Sequence, residues 1–159
     1  MAFRYIEPVF GFTADQTHVC VPVGAEKTLD AMVEELRGTD DLIAVYVPEG
    51  TQDHWGAGPA RGRVVGAVRL VDMPHGKTKQ DYFYKDWDGT LRWPVGWPCK
   101  AVYAPPVSEC PSLRTLVDKL HGANSFAPYV AAFQRGPFRL GPPMAKELAE
   151  RFAQFPKLT

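Results

Sequence analysis

The segment Arg63-Val64-Val65-Gly66-Ala67-Val68-Arg69-Leu70-Val71 decides the fold. Its side chains alternate between two faces, and the run continues to Met73, which is the pattern of a β-strand. Gly66 interrupts this series of side chains, and a glycine inside a strand marks a bend or the close approach of another backbone. We therefore predict that residues 63–73 form a strand in the centre of a strongly curved sheet.

The segments on either side supply the remaining strands and helices. A short, continuous apolar run at 42–47 predicts a strand covered on both faces, and apolar residues at helical spacing predict amphipathic helices. The predicted strands are 5–10, 17–23, 42–47, 63–73, 97–103 and 138–140, and the predicted helices are 25–36, 111–120, 125–133 and 144–155. This irregular order favours an α+β fold, a small curved mixed or antiparallel β-barrel flanked by helices. No linker-like composition divides the chain, so we predict one domain over residues 1–159.

Composition limits the classes of partner. The chain has 159 residues, with 18 basic and 18 acidic side chains. Proteins that coat nucleic acid non-specifically are usually basic, so a nucleic-acid partner would have to be met by a local basic patch and a pocket. No run resembles a signal peptide or a membrane span, and we expect a cytoplasmic protein without a membrane role. The three cysteines lack metal-ligand spacing and are expected to be reduced thiols.

The window from Tyr82 to Trp97 contains six aromatic residues, separated by glycine, proline and short charged residues. Such a pattern is typical of a surface pocket that presents flat apolar faces beside cations, as proteins do for splayed-out nucleobases. Each ring taken alone is more commonly a packing residue, but the set favours a pocket. The candidate base-binding residues are Trp55, Tyr82, Phe83, Trp87, Trp93 and Trp97.

Basic residues flank the aromatic window. Arg63, Lys77, Lys79 and Arg92 are the candidate phosphate contacts, although isolated charged side chains are more often solvated surface. The sequence contains no nucleophile elbow, no phosphate-binding loop and no HExxH motif. No His or Cys pair has zinc-ligand spacing. We therefore expect a binding protein without metal, cofactor or catalytic residues. A catalytic triad needs no local motif, however, because its residues can be distant in sequence and meet only in the folded protein.

Three segments resemble the EVE domain of the PUA-like group, to which the YTH readers also belong. They are the strand 63–71 with its internal glycine, the run Gly89-Thr90-Leu91-Arg92-Trp93-Pro94-Val95-Gly96-Trp97, and the ending Phe138-Arg139-Leu140-Gly141-Pro142-Pro143-Met144 before a helix. The resemblance implies a small barrel whose pocket accepts a modified base, flipped into an aromatic cage. Relatives in the group bind methylated adenine in RNA or, as modules of modification-dependent restriction enzymes, modified cytosine in DNA.

The resemblance implies a nucleic-acid partner that carries a modified cytosine or adenine, and it leaves DNA and RNA both open. It is also compatible with a nuclease domain, fused to the chain or acting as its partner. The sequence leaves two alternatives open. One is a PUA-like enzyme of the ASCH type that acts on RNA or a small amide. A Lys, Glu or Tyr side chain converging in the pocket would favour this alternative. The other is an aromatic-lined module for a small molecule or a protein, which the balanced charge slightly favours.

Overall fold

The structure is a computed structural model, and it describes residues 1–132 and 136–158. Within them the chain is α+β, with six strands and four α-helices. The strands are β1 (Phe3–Pro8), β2 (His18–Val21), β3 (Leu42–Tyr46), β4 (Val64–Leu70), β5 (Val95–Tyr103) and β6 (Phe138–Arg139), and the helices are α1 (Glu26–Leu36), α2 (Leu113–His121), α3 (Phe126–Ala131) and α4 (Pro142–Phe152). Four short 3₁₀ turns connect some of these elements.

All six strands belong to one mixed sheet in the order β2-β5-β4-β3-β1-β6. Strands β1 and β3 are parallel, and the other neighbouring pairs are antiparallel. The sheet curls into a half-barrel. These observations confirm the predicted α+β class and the curved mixed sheet, with β4 in its interior between β3 and β5.

The sheet is buried on both faces. In β3, Leu42, Ala44 and Tyr46 belong to one core cluster, while Ile43 and Val45 belong to a second cluster. Because side chains alternate along a strand, the two clusters lie on opposite faces of the sheet. This arrangement explains the unbroken apolar run of β3, and it confirms the prediction of a strand covered on both sides.

Each core has its own helices. Helix α1 adds its apolar stripe of Leu29, Met32, Val33 and Leu36 to the second core, and α2, α3 and α4 cover the first. Both predicted boundaries of the last helix differ from the structure. Helix α4 begins at Pro142 instead of 144, because proline is tolerated in the first turn of a helix, and it ends at 152. The predicted helix 125–133 extends into residues outside the described ranges. Within those ranges no helix is long and apolar enough to cross a membrane.

Gly66 marks a close approach, as its position in the sequence predicts. A Cβ atom at this position would collide with the carbonyl oxygen of Tyr103 on β5 and with the ring of Phe12. The register between β4 and β5 also shifts beside it, between Ala67 and Val68. The glycine therefore allows a backbone and an aromatic ring to pack directly on the central strand, where the sheet curls.

Candidate functional site

A cleft lies where the end of β1 comes close to β2. It consists of two adjoining cavities of about 220 and 350 Å³ that share Pro8, Phe10, Cys20 and Trp93. Small-molecule sites in proteins usually range from about 300 to 1,000 Å³, so the cleft is large enough for a compact aromatic ligand. The first cavity is walled largely by aromatic rings, whereas the second contains carboxyl groups.

The aromatic wall consists of Phe10, Trp55 and Trp93. Phe10 and Trp55 lie parallel within 16°, with 5.0 Å between their centroids. The Trp93 ring meets Phe10 edge-on at 4.9 Å and Trp55 at 5.9 Å. All three line the first cavity. At a 5.0 Å spacing no ring can enter between Phe10 and Trp55, so a flat ligand would have to lie against the wall and could not be sandwiched within it.

Arg61 fixes the loop that carries Trp55. Its Nε atom donates to the Thr51 carbonyl at 2.7 Å, and its guanidinium forms an ion pair with Asp53. Trp55 ends the 3₁₀ turn Asp53–Trp55, which is closed by Gly56 in a left-handed conformation. The Trp55 ring is thus held against Phe10 by the backbone geometry of its own loop.

The aromatic window forms a small hairpin that brings Trp93 back to the sheet. Tyr84 and Trp93 exchange two backbone hydrogen bonds, of 2.9 and 3.3 Å. The turn between them is closed by the Gly89 amide donating to Asp86 and by an ion pair of Arg92 with Asp86. These contacts place the Tyr84 ring on the same cavity as Trp93.

His18 on β2 joins this hairpin to the sheet. Its ring stacks on Tyr84 at 4.6 Å, and its Nε2 atom lies 3.0 Å from the Phe83 carbonyl. A carbonyl oxygen only accepts, so Nε2 carries a proton and donates it. The other ring nitrogen, Nδ1, lies 2.9 Å from the Thr17 hydroxyl, which can donate to it. Both nitrogens are thus engaged, and His18 acts as a positioning residue in the cavity wall.

Glu7 is the most unusual group in the cleft. It lies on β1, lines the second cavity and is only 1% exposed. Its Oε2 atom has no hydrogen-bond partner among the described residues. Burial raises the pKa of this carboxyl to about 8, because the charged form would lose its hydration. At neutral pH the side chain is therefore mainly an uncharged carboxylic acid.

Two thiols lie near this carboxyl group. Burial, with a smaller contribution from Glu7, raises the pKa of the Cys20 thiol. The same two causes raise the pKa of the Cys99 thiol to about 12. Both sulfurs therefore stay protonated at neutral pH, and neither is an activated nucleophile. The cleft thus contains the buried acid Glu7, whose Oε2 atom has no hydrogen-bond partner within the described ranges.

The structure places the six predicted base-binding residues in different surroundings. Trp55 and Trp93 share the first cavity. Trp97 lies elsewhere: its indole nitrogen donates to the Val71 carbonyl at 2.8 Å, and its ring packs on the second core. Trp87 is 71% exposed, beside His54. The Tyr82 ring is tilted by 57° against the His18 ring at 5.9 Å, and Phe83 is exposed beneath the Lys85 ammonium.

Three of the four predicted phosphate contacts already have partners. Arg63 donates to the Cys110 carbonyl at 2.6 Å. Lys79 lies between Glu26 and Asp30 of α1, at 3.0 and 2.8 Å, and these bonds raise its pKa. Arg92 is paired with Asp86. Lys77 is exposed and has no ion pair to a described residue.

Sequence reasoning missed Phe10, His18, Cys20 and Glu7. The first three carry no local signal, because a ring or thiol on a strand is usually a packing residue. Glu7 does carry one: within the predicted strand 5–10 it shares a face with Tyr5 and Val9, so an acid stands among apolar residues. A charged side chain on an apolar strand face is uncommon, and it indicates either an ion pair or a binding site.

Among residues 1–132 and 136–158, no group of three or more His, Cys, Asp or Glu side chains is arranged to hold a metal ion. The chain matches no protein-family model, and it has no significant match among curated proteins. Support for a function therefore comes from the cleft itself: an aromatic wall, a second pair of stacked rings and a buried acid.

Proposed function

We propose that this chain is a nucleic-acid-binding module that holds a modified cytosine or adenine base in the aromatic cleft. The observation that carries the proposal is the wall of Phe10, Trp55 and Trp93 beside a cavity of about 220 Å³. The curled sheet and its flanking helices are compatible with a PUA-like barrel of the EVE type. On that fold the cleft would receive a base turned out of its strand.

The base would lie against the wall. The Phe10–Trp55 stack lines one side of the cavity, and the stacked pair of His18 and Tyr84 contributes to the same cavity. Base–aromatic stacking is worth roughly 1–3 kcal/mol per base. A methyl group on the base would add apolar area in a cavity whose surface is mostly apolar, and this favours the modified base over the plain one.

Phosphate contacts contribute less than stacking in this proposal. Among the described residues near the aromatic hairpin, Lys77 and Lys85 are exposed without ion pairs, whereas Lys79 and Arg92 are already neutralised by carboxylates. The chain has no net charge. Recognition would therefore rest on the base and its modification, and only a few backbone phosphates would be engaged.

The test is binding to matched oligonucleotides, each with one central plain or modified cytosine or adenine, in DNA and in RNA. Trp93→Ala and Trp55→Ala should weaken binding by about tenfold or more, since each removes stacking energy of at least about 1.4 kcal/mol. Trp97→Phe is the matched control, because Trp97 packs outside the cleft, and it should bind like the wild type. The proposal is wrong if no oligonucleotide binds, or if all three variants bind equally well.

The ASCH-type alternative is favoured by one observation, the presence of Glu7 and Tyr84 in the cleft. A buried carboxyl whose pKa lies near neutrality is a common general acid or base. Against it, the nearby thiols are protonated and both His18 nitrogens are engaged, so Glu7 has no activated nucleophile beside it. Turnover of RNA, modified oligonucleotides or small amides by the purified chain, abolished by Glu7→Gln, would replace the binding proposal with an enzyme.

A further inference from the structure

We infer that Glu7 reads the edge of the bound base as an uncharged acid, and that this base presents a hydrogen-bond donor beside an acceptor. The inference rests on the proposed base-binding function and adds to it the group that determines which base is accepted. It also makes recognition dependent on pH.

The position of Glu7 supports this role. The second cavity is lined by Glu7 together with Phe10 and Trp93, which also line the first cavity, so Glu7 lies beside the aromatic wall. A ring that lies on the wall would direct its edge along the cleft. In the residues that the structure describes, Oε2 of Glu7 has no hydrogen-bond partner. A buried polar atom left without a partner is destabilising, and a ligand that supplies the partner removes that cost.

The surroundings of Glu7 decide its charge. The titratable groups near it are the Cys20 and Cys99 thiols on β2 and β5, and the Tyr46 hydroxyl and Glu49 carboxylate at the end of β3. None of these is a cation. The Glu49 carboxylate is paired with Arg114 by two hydrogen bonds, of 3.0 and 2.7 Å, on the side of α2. No described cation therefore stabilises an ionised Glu7.

The uncharged acid has one donor, its O–H group, and one acceptor, its C=O group. This pair matches an edge on which an amino N–H lies beside a ring nitrogen, as in cytosine and adenine. N6-methyladenine keeps one amino N–H, and a 5-substituent on cytosine does not touch this edge. An ionised carboxylate has only acceptors and would instead suit guanine, which presents two donors side by side. The protonation state of Glu7 thus selects the base.

The experiment compares wild type with Glu7→Gln between pH 6 and pH 9. Glutamine keeps one acceptor and a donor group of similar size but does not ionise. The probes are single-stranded oligonucleotides with one central 5-methylcytosine, N6-methyladenine or guanine, and binding is followed by fluorescence anisotropy. For a group with pKa near 8, wild-type affinity for the 5-methylcytosine and N6-methyladenine probes should be about tenfold weaker at pH 9 than at pH 6, whereas affinity for the guanine probe should rise over this range. Glu7→Gln should bind with the same affinity across this range.

The outcomes separate the inference from the proposed function. Trp93-dependent binding with identical pH profiles in wild type and Glu7→Gln would overturn the inference and leave the proposed function standing. Absence of binding to every probe at every pH would overturn the proposed function. A carbon-13 NMR titration of the Glu7 carboxyl group in the free protein needs no ligand and checks the charge state directly. A midpoint near 8 is expected, and a midpoint near 4 to 5 would overturn the inference.

Discussion

Replacing Glu7 by glutamine should make the protein more stable, increasingly so as the pH rises. In the unfolded chain Glu7 ionises with its ordinary pKa of 4.5, whereas in the folded protein burial raises this pKa to about 8. Between these values the native state holds a proton that the unfolded state has lost. The free energy of unfolding therefore falls as the pH rises through this window, and it is constant on either side.

The size of the effect follows from the shift. One pKa unit corresponds to about 1.4 kcal/mol, so the full window from 4.5 to about 8 is worth at most roughly 5 kcal/mol. At pH 7 the wild type has lost roughly 3 kcal/mol relative to acid conditions, out of a total stability that for most domains is about 5–15 kcal/mol. Glutamine needs no proton, so the variant has no such loss.

The assay is urea unfolding of both proteins in the same buffers at pH 5, 7 and 8.5. The free energy of unfolding of Glu7→Gln minus that of the wild type should rise by roughly 4 kcal/mol from pH 5 to 8.5, with most of the rise below pH 8. Other titrating groups contribute equally to both proteins and cancel in the difference. A difference that is independent of pH would show that Glu7 is ionised in the native state, and the reasoning about its burial would be refuted.

Three further predictions concern the packing, the thiols and the charges. Gly66→Ala should lose about 2–4 kcal/mol of stability by chemical denaturation, because its Cβ would meet a fixed carbonyl oxygen, whereas Gly50→Ala, which has open space around it, should be neutral. The buried thiols of Cys99 and Cys110 should react slowly with iodoacetamide at pH 8 until the protein unfolds, and fast native labelling would contradict their burial. For oligonucleotide binding, the logarithm of affinity should fall with the logarithm of salt at a slope of about −2, set by Lys77 and Lys85. A slope steeper than about −4 would show that more phosphates are bound.

The elements of the fold could be predicted from sequence because their causes are local. The apolar run of β3 requires cover on both faces, and the two cores supply it. The glycine of β4 requires a close neighbour, and Tyr103 is that neighbour. Boundaries were less accurate where proline decides them: β5 begins at Val95, directly after Pro94, two residues before the predicted start at 97.

The cleft was harder to predict because its walls meet only in three dimensions. Trp55 and Trp93 are 38 positions apart on two irregular loops, and nothing local distinguishes them from Trp97, whose indole is bonded to the Val71 carbonyl. Phe10 reads as an ordinary strand residue. The buried acid could have been recognised from the sequence, since Glu7 occupies an inward position of an alternating strand. The pairing of Lys79 with α1 depends on how the loop folds back, which sequence does not show.

The walls of the first cavity come from four separated parts of the chain: residues 8–11, residues 16–20, Trp55, and the hairpin that carries Tyr84 and Trp93. An unfolded chain has no such surface, so a ligand of the cleft binds the native state alone. At a concentration of about 100 times its dissociation constant, it would add about 2.7 kcal/mol to the free energy of unfolding. For a domain of this size, that raises the melting temperature by roughly 5–10 °C. Thermal shift with free nucleosides, added one at a time, therefore tests whether the cleft binds any base, without a nucleic-acid sequence context.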